Sequence, residues 1–171
     1  KSLESDAALT MLRMYALARK GTMGESLFNY PVTANSSQML PTDSLSVMMM
    51  YPADSLYKFL GARPAERMEP MRYLQLLERR DSVANPAVAD YRLCGYLIDR
   101  QLDRFASEIG RYYTINDSLP RHYREALTLY THTKTRPVVV YHQTVMDEDY
   151  TNLVALERKY PLASERKGKV E

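Results

Sequence analysis

Residues 85–113 read NPAVADYRLCGYLIDRQLDRFASEIGRYY, and this stretch decides the fold. Asn85 is a good helix N-cap, and Pro86 suits the first helical position, where its missing N–H has no partner to lose. The helix they start runs to about Asp99, with an apolar centre around Leu93, Cys94 and Leu97. A second helix follows from about Leu102 to Tyr113 after a very short turn. Helices joined this closely lie antiparallel, and small side chains at Cys94 and Ala106 let them approach. The spacing predicts a helical hairpin.

Working outward, residues 6–20 (DAALTMLRMYALARK) are apolar around much of the helical circumference, which predicts a helix buried on more than one side. Arg19 and Lys20 suit its C-terminal end, and Gly21 supplies a left-handed stop. A short helix fits 23–30, followed by a polar loop over 31–44. Short helices fit 43–50 and 52–60, the latter closed by Gly61, and Pro64 and Pro70 leave a further helix from about Glu69 to Arg80. Residues 81–85 read as a turn.

Downstream, Pro120 opens a helix that carries Tyr123, Leu127 and Tyr130 on one stripe. Residues 131–146 are β-branched and contain Pro137, so an extended segment is expected there. The acidic run Asp147 to Asp149 favours a helix start, with Tyr150, Leu153 and Tyr160 following at helical spacing. The expected fold is all-α, built of stacked antiparallel helical hairpins with at most one short extended segment. One domain spans residues 1–160, and 161–171 form a charged, flexible tail.

The chain has 171 residues, enough for a single domain with a sizeable core. It holds 23 basic and 21 acidic residues, and a balance of +2 does not by itself imply nucleic acid or an acidic substrate. One cysteine allows neither an internal disulfide nor a cysteine-based metal site. No apolar run approaches the roughly 20 residues of a membrane span. The composition is unusual in having 14 Tyr and 10 Met but no Trp.

Motifs for specific chemistry are missing. The sequence has no G-x-S-x-G elbow, P-loop or G-x-G-x-x-G loop. The carboxylate pairs Glu66/Glu69 and Asp99/Asp103 are interleaved with arginines and read as solvated helix faces. Cys94 sits inside an apolar helix and reads as core. His122, His132 and His142 are ten residues apart, outside the usual ligand spacings. His142 with Asp147 and Asp149 is the one metal arrangement worth stating, and it reads as an acidic helix start beside a surface histidine. No catalytic residue, cofactor or metal is expected.

The binding candidates lie in 111–136, with five basic residues against two acidic ones and tyrosines interleaved. Arg111, Tyr112, Tyr113, Arg121, His122, Tyr123 and Arg124 are the candidate partner-binding residues. Stacking tyrosines on a basic face can hold single-stranded nucleic acid, but an excess of +3 is too small to drive it. A protein or peptide partner is expected instead. The alternative is an accessory peptide- or glycan-binding or enzyme-associated domain with a tyrosine-lined pocket. Met48, Met49 and Met50 offer a flexible apolar contact or core filling, and the basic stretch 158–170 a lipid-headgroup contact or a solvated tail.

Two segments resemble the tetratricopeptide repeat. Leu93, Cys94, Leu97, Gln101 and Ala106 match better than Met14, Leu17, Gly21, Met23 and Ser26, and both lack the large aromatic of the consensus. The stretches DYRLCGYLIDRQLDRFASEI and SLPRHYREALTLYTHTKTRPVVVYH also resemble the soluble C-terminal region of uncharacterised multipass membrane proteins of Bacteroidetes. The small-residue hairpin at Cys94 and Ala106 and the lack of a reactive constellation predict a non-catalytic protein-interaction or scaffolding module. The resemblance implies that it is the soluble part of a larger bacterial membrane protein, reaching the membrane only through upstream segments. It carries no catalytic residues.

Overall fold

Local signals account for most helix boundaries, and the computed structural model describes residues 7–41, 53–80 and 85–161. Helix α1 spans Ala7–Lys20 and ends at Gly21, whose φ of 68° is the left-handed stop. Helix α2, Met23–Ser26, passes into a 3₁₀ turn over Leu27–Asn29. The polar loop that follows holds a second 3₁₀ turn, Ser36–Gln38, capped by Asn35. Helices α3 (Ala53–Leu60) and α4 (Pro70–Arg80) come next, and Gly61 closes α3 with a φ of 138°. Helix α5 spans Pro86–Ile98, where Asn85 Oδ1 accepts from the backbone N–H of Ala87 at 3.0 Å. Helices α6 (Leu102–Ile109), α7 (Arg121–Thr133) and α8 (Thr144–Lys159) are the remaining helices among the described residues. The fold is all-α, with no strand among the described residues.

Helix α5 sits at the centre. Nine of its residues are buried, and α1, α2, α4 and α6 all pack against it. Its apolar surface, including Val88, Tyr91, Leu93 and Cys94, merges with Met14, Leu27, Leu74, Phe105 and Tyr123 in one core. The stripe of Tyr123, Leu127 and Tyr130 is buried as its spacing requires. Helix α8 differs, since none of its residues is fully buried and it packs chiefly against α7.

Two expectations are corrected, and three others fall largely outside the described residues. Helix α6 ends at Ile109 rather than near Tyr113, because the N–H groups of Tyr112 and Tyr113 both turn back to the Ile109 carbonyl. Residues 131–146 are not one extended segment: 131–133 continue α7 and 144–146 begin α8. Thr133 is held in helix by its hydroxyl, which donates to the Leu129 carbonyl at 2.7 Å, so context outweighs its β-propensity. Between them, 134–143 follows an irregular path around Pro137. The expected helix over 43–50 and the tail beyond 161 lie outside the described residues, as does most of the 81–85 turn.

Two glycines mark the closest approaches. A Cβ on Gly24 would lie 2.6 Å from Tyr123 Cζ and 2.9 Å from Pro120 Cβ, both rigid neighbours. A Cβ on Gly95 would meet Met71 Sδ at 2.6 Å and Met39 Cε at 3.0 Å, the ends of flexible side chains. Gly24→Ala is therefore expected to lower stability by about 1–3 kcal/mol, as overpacking does. Gly95→Ala is expected near neutral, because the methionines re-seat and alanine gains about 1 kcal/mol of helix propensity. Urea denaturation of both variants measures this, and equal losses would refute the distinction.

Candidate functional site

Helix α5 carries a buried charge of each sign, and both must find partners. Asp90 Oδ1 accepts from the Tyr113 hydroxyl at 2.6 Å and the Tyr123 hydroxyl at 2.8 Å. Burial makes the Asp90 carboxyl harder to ionise, outweighing the two tyrosine hydrogen bonds that favour its charged form. Cys94 Sγ lies 3.5 Å from the Tyr123 hydroxyl, and burial pushes the thiol far up despite that hydrogen bond. The enclosed, neutral thiol is core, as its helix position implies.

Arg92, two residues on, points toward α4 and α6. Its Nη1 bonds Glu78 and donates to the Tyr112 hydroxyl at 2.6 Å, while Nη2 donates to the Tyr96 hydroxyl at 3.0 Å. Glu108 lies 3.4 Å from Nη2. Tyr112 in turn donates to Glu78 at 2.6 Å, and Arg111 bonds Glu108 at 2.6 Å and Glu78 at 3.0 Å.

The seven candidate partner-binding residues thus divide into separate groups. Arg111 and Tyr112 belong to the Arg92 network, and Tyr113 and Tyr123 to the Asp90 pair. Arg121 and His122 both bond Glu125, at 2.7 and 2.9 Å, and the buried His122 ring meets Phe28 edge-on. Arg124 is half-buried. Tyr123 is fully enclosed, leaving Arg111 and Arg121 as the exposed members.

A tyrosine-lined pocket does form, walled by Glu78, Asn85, Tyr112 and Tyr113. Its volume of about 190 Å³ falls short of the 300–1,000 Å³ of small-molecule sites. Two larger hollows, about 570 and 620 Å³, are shallow and open to solvent. One lies on α8 beside Thr144, Asp147 and Thr151.

The surface that stands out is the C-terminal third. Of the eight exposed large hydrophobic side chains among the described residues, five lie between 129 and 153: Leu129, Val138, Val140, Val145 and Leu153. Val138 and Val140 are held outward on the irregular 134–143 segment, which is pinned inside. The Val138 N–H donates to the Tyr130 hydroxyl at 3.3 Å, and the Tyr141 N–H to Thr131 Oγ1 at 3.1 Å. The Tyr141 hydroxyl donates to Asp117 at 2.9 Å.

The same pinning brings two histidines to one carboxylate. His132 Nε2 lies 2.7 Å from Asp147 Oδ1, and His142 Nδ1 lies 3.3 Å from Oδ2. Burial alone would raise the Asp147 pKa, but hydrogen bonds from His132 and His142 prevail and hold it below the usual carboxylate range. His142 and Asp147 meet as their sequence positions imply; His132 joins them, and Asp149 does not. Of the other carboxylate pairs, Asp99 accepts from the Ser36 N–H and hydroxyl, whereas Asp103 bonds Lys134 at 2.8 Å. Comparison of the chain with protein-family models, curated proteins and solved structures finds no match.

Asp90 generates a pH prediction. Because it ionises less readily in the folded chain, the native state binds the proton more tightly than the unfolded one. Its contribution to stability therefore falls as pH rises from the unfolded carboxylate range, about 4, through its folded pKa. Asp90→Asn removes that slope, while its amide oxygen can still accept from both tyrosines. Across urea titrations from acid to neutral pH, the variant is expected to gain steadily on the wild type. A pH-independent difference would contradict the assignment.

Proposed function

We propose that this domain is a non-catalytic protein-interaction or scaffolding module whose docking face is the C-terminal third. The observation that carries this reading is the outward apolar set of Leu129, Val138, Val140, Val145 and Leu153 on a frame whose other large apolar side chains are mostly inside. Helix α8 covers its apolar side chains only in part. Met146, Tyr150 and Val154 are half-buried, while Val145 and Leu153 point outward at 63% and 47% exposure. Apolar side chains left outward on a helix give a surface that a partner can cover.

The partner is a protein or peptide presenting apolar side chains. The stacked-hairpin reading is kept with this role: Cys94 and Ala106 are both buried where α5 and α6 pack, as a small-residue crossing needs. In the full-length protein the module is the soluble part of a larger membrane protein, as the resemblance implies. An upstream reading frame without transmembrane segments would remove that part of the proposal.

The docking face is tested with Val138→Asp combined with Val145→Asp. At 72% and 63% exposure, both positions tolerate charge without loss of core. Affinity capture from the native host is expected to retain a stoichiometric protein with the wild type and lose it with the double variant, at unchanged melting temperature. Equal capture by both chains would move the contact elsewhere.

A further inference from the structure

We propose that His132, His142 and Asp147 form a binding site for one divalent transition metal of the zinc class, which clips helix α8 and the 134–143 segment onto α7. The ligands come from three places in the chain: the last turn of α7, the irregular segment and the first turn of α8. Their donor atoms all lie within 4.8 Å of one another, and no other such group occurs among the described residues.

Donor atoms on a tetrahedral zinc at about 2.0–2.1 Å stand roughly 3.3 Å apart. The set therefore needs only small side-chain rotations to close on an ion. His142 has the freedom to make them, with 61% of its side chain exposed. His132 is held, because its ring stacks on Tyr150 with centroids 4.5 Å apart and planes 11° from parallel. That stacking fixes the imidazole orientation, a task partners outside the ligand set perform in established metal sites.

The chemistry of the donors selects the metal. Two imidazoles and one carboxylate suit zinc, copper or nickel, whereas magnesium and calcium prefer sets built entirely of oxygen. Three protein ligands leave a further position for water. A hydrogen-bonded histidine–aspartate pair at a surface contributes little, roughly 0–1 kcal/mol. Helix α8 has no fully buried residue to anchor it, so a metal cross-link would add the tether its packing lacks.

The test is titration of the tag-free, chelator-treated full chain with Zn²⁺ by calorimetry. One-to-one binding is expected, weakened about tenfold or more by His132→Gln, His142→Gln or Asp147→Asn, and unchanged by Asp149→Asn. Zinc is also expected to slow amide exchange across 134–159, and magnesium to do neither. His142 is the most exposed of the three ligands, so its variant keeps the test decisive if another variant unfolds. Absence of saturable binding, or binding that survives the three ligand variants, overturns the proposal. So does an Asp149→Asn loss equal to that of Asp147→Asn, which would show diffuse attraction to acidic charge.

Discussion

The structure depends on a central helix that buries a carboxylate and a guanidinium two residues apart. Asp90 and Arg92 point to different sides of α5, so they do not neutralise each other and each needs its own partners. A buried charge without hydrogen bonds is strongly destabilising. Asp90 therefore fixes Tyr113 and Tyr123 inside, while Arg92 gathers Glu78 from α4, Glu108 from α6 and Tyr112 from the turn beyond it. The helices around α5 are positioned by polar demands as much as by apolar area. Four of the 14 tyrosines, Tyr96, Tyr112, Tyr113 and Tyr123, serve this demand, each hydroxyl meeting Asp90 or Arg92 while the ring packs against apolar neighbours.

From that seam the packing propagates. Tyr123, drawn in by Asp90, brings α7 against α2, and the approach is close enough that position 24 has no room for a side chain. Phe105 and Tyr113 pack around the same ring, with centroids 5.6 and 5.7 Å away. Beyond α7 the core gains only the buried Tyr141, with Val139 and Met146 packed against it, and no residue of α8 is fully buried. That thin contact leaves outward apolar side chains in the last third of the domain.

Features set by neighbours in sequence were legible, and those set by distant partners were not. The Asn85 cap before Pro86, the left-handed Gly21 and the Tyr123–Leu127–Tyr130 stripe are local, and the structure keeps all three. Tyr112 and Tyr113 looked like one basic, aromatic surface with Arg111. Their fates are decided by Glu78, 34 positions from Tyr112, and Asp90, 23 positions from Tyr113. His132 was unreadable as a neighbour of Asp147 because the two are 15 positions apart, across an irregular segment whose path depends on side-chain bonds from Tyr130, Thr131 and Asp117. A helix ending in histidine, followed by Pro137 and then an acidic helix start, was the available signal. It is visible only when both termini are read as converging.

The exposed apolar set also limits the partner it would suit. Each of the valines and leucines is already partly covered, so docking removes only part of its surface from water, on the order of 1 kcal/mol per side chain. Five such side chains sum to about 5 kcal/mol, below the roughly 8 kcal/mol of a micromolar complex before association entropy is counted. Apolar contact alone does not hold a partner here. The remainder must come from polar groups on the same face, where the open hollow beside Thr144, Glu148, Thr151 and Asn152 presents hydroxyls, a carboxylate and an amide along α8. Specificity in the proposed interaction would then rest on those side chains, and the valines would supply the general attraction.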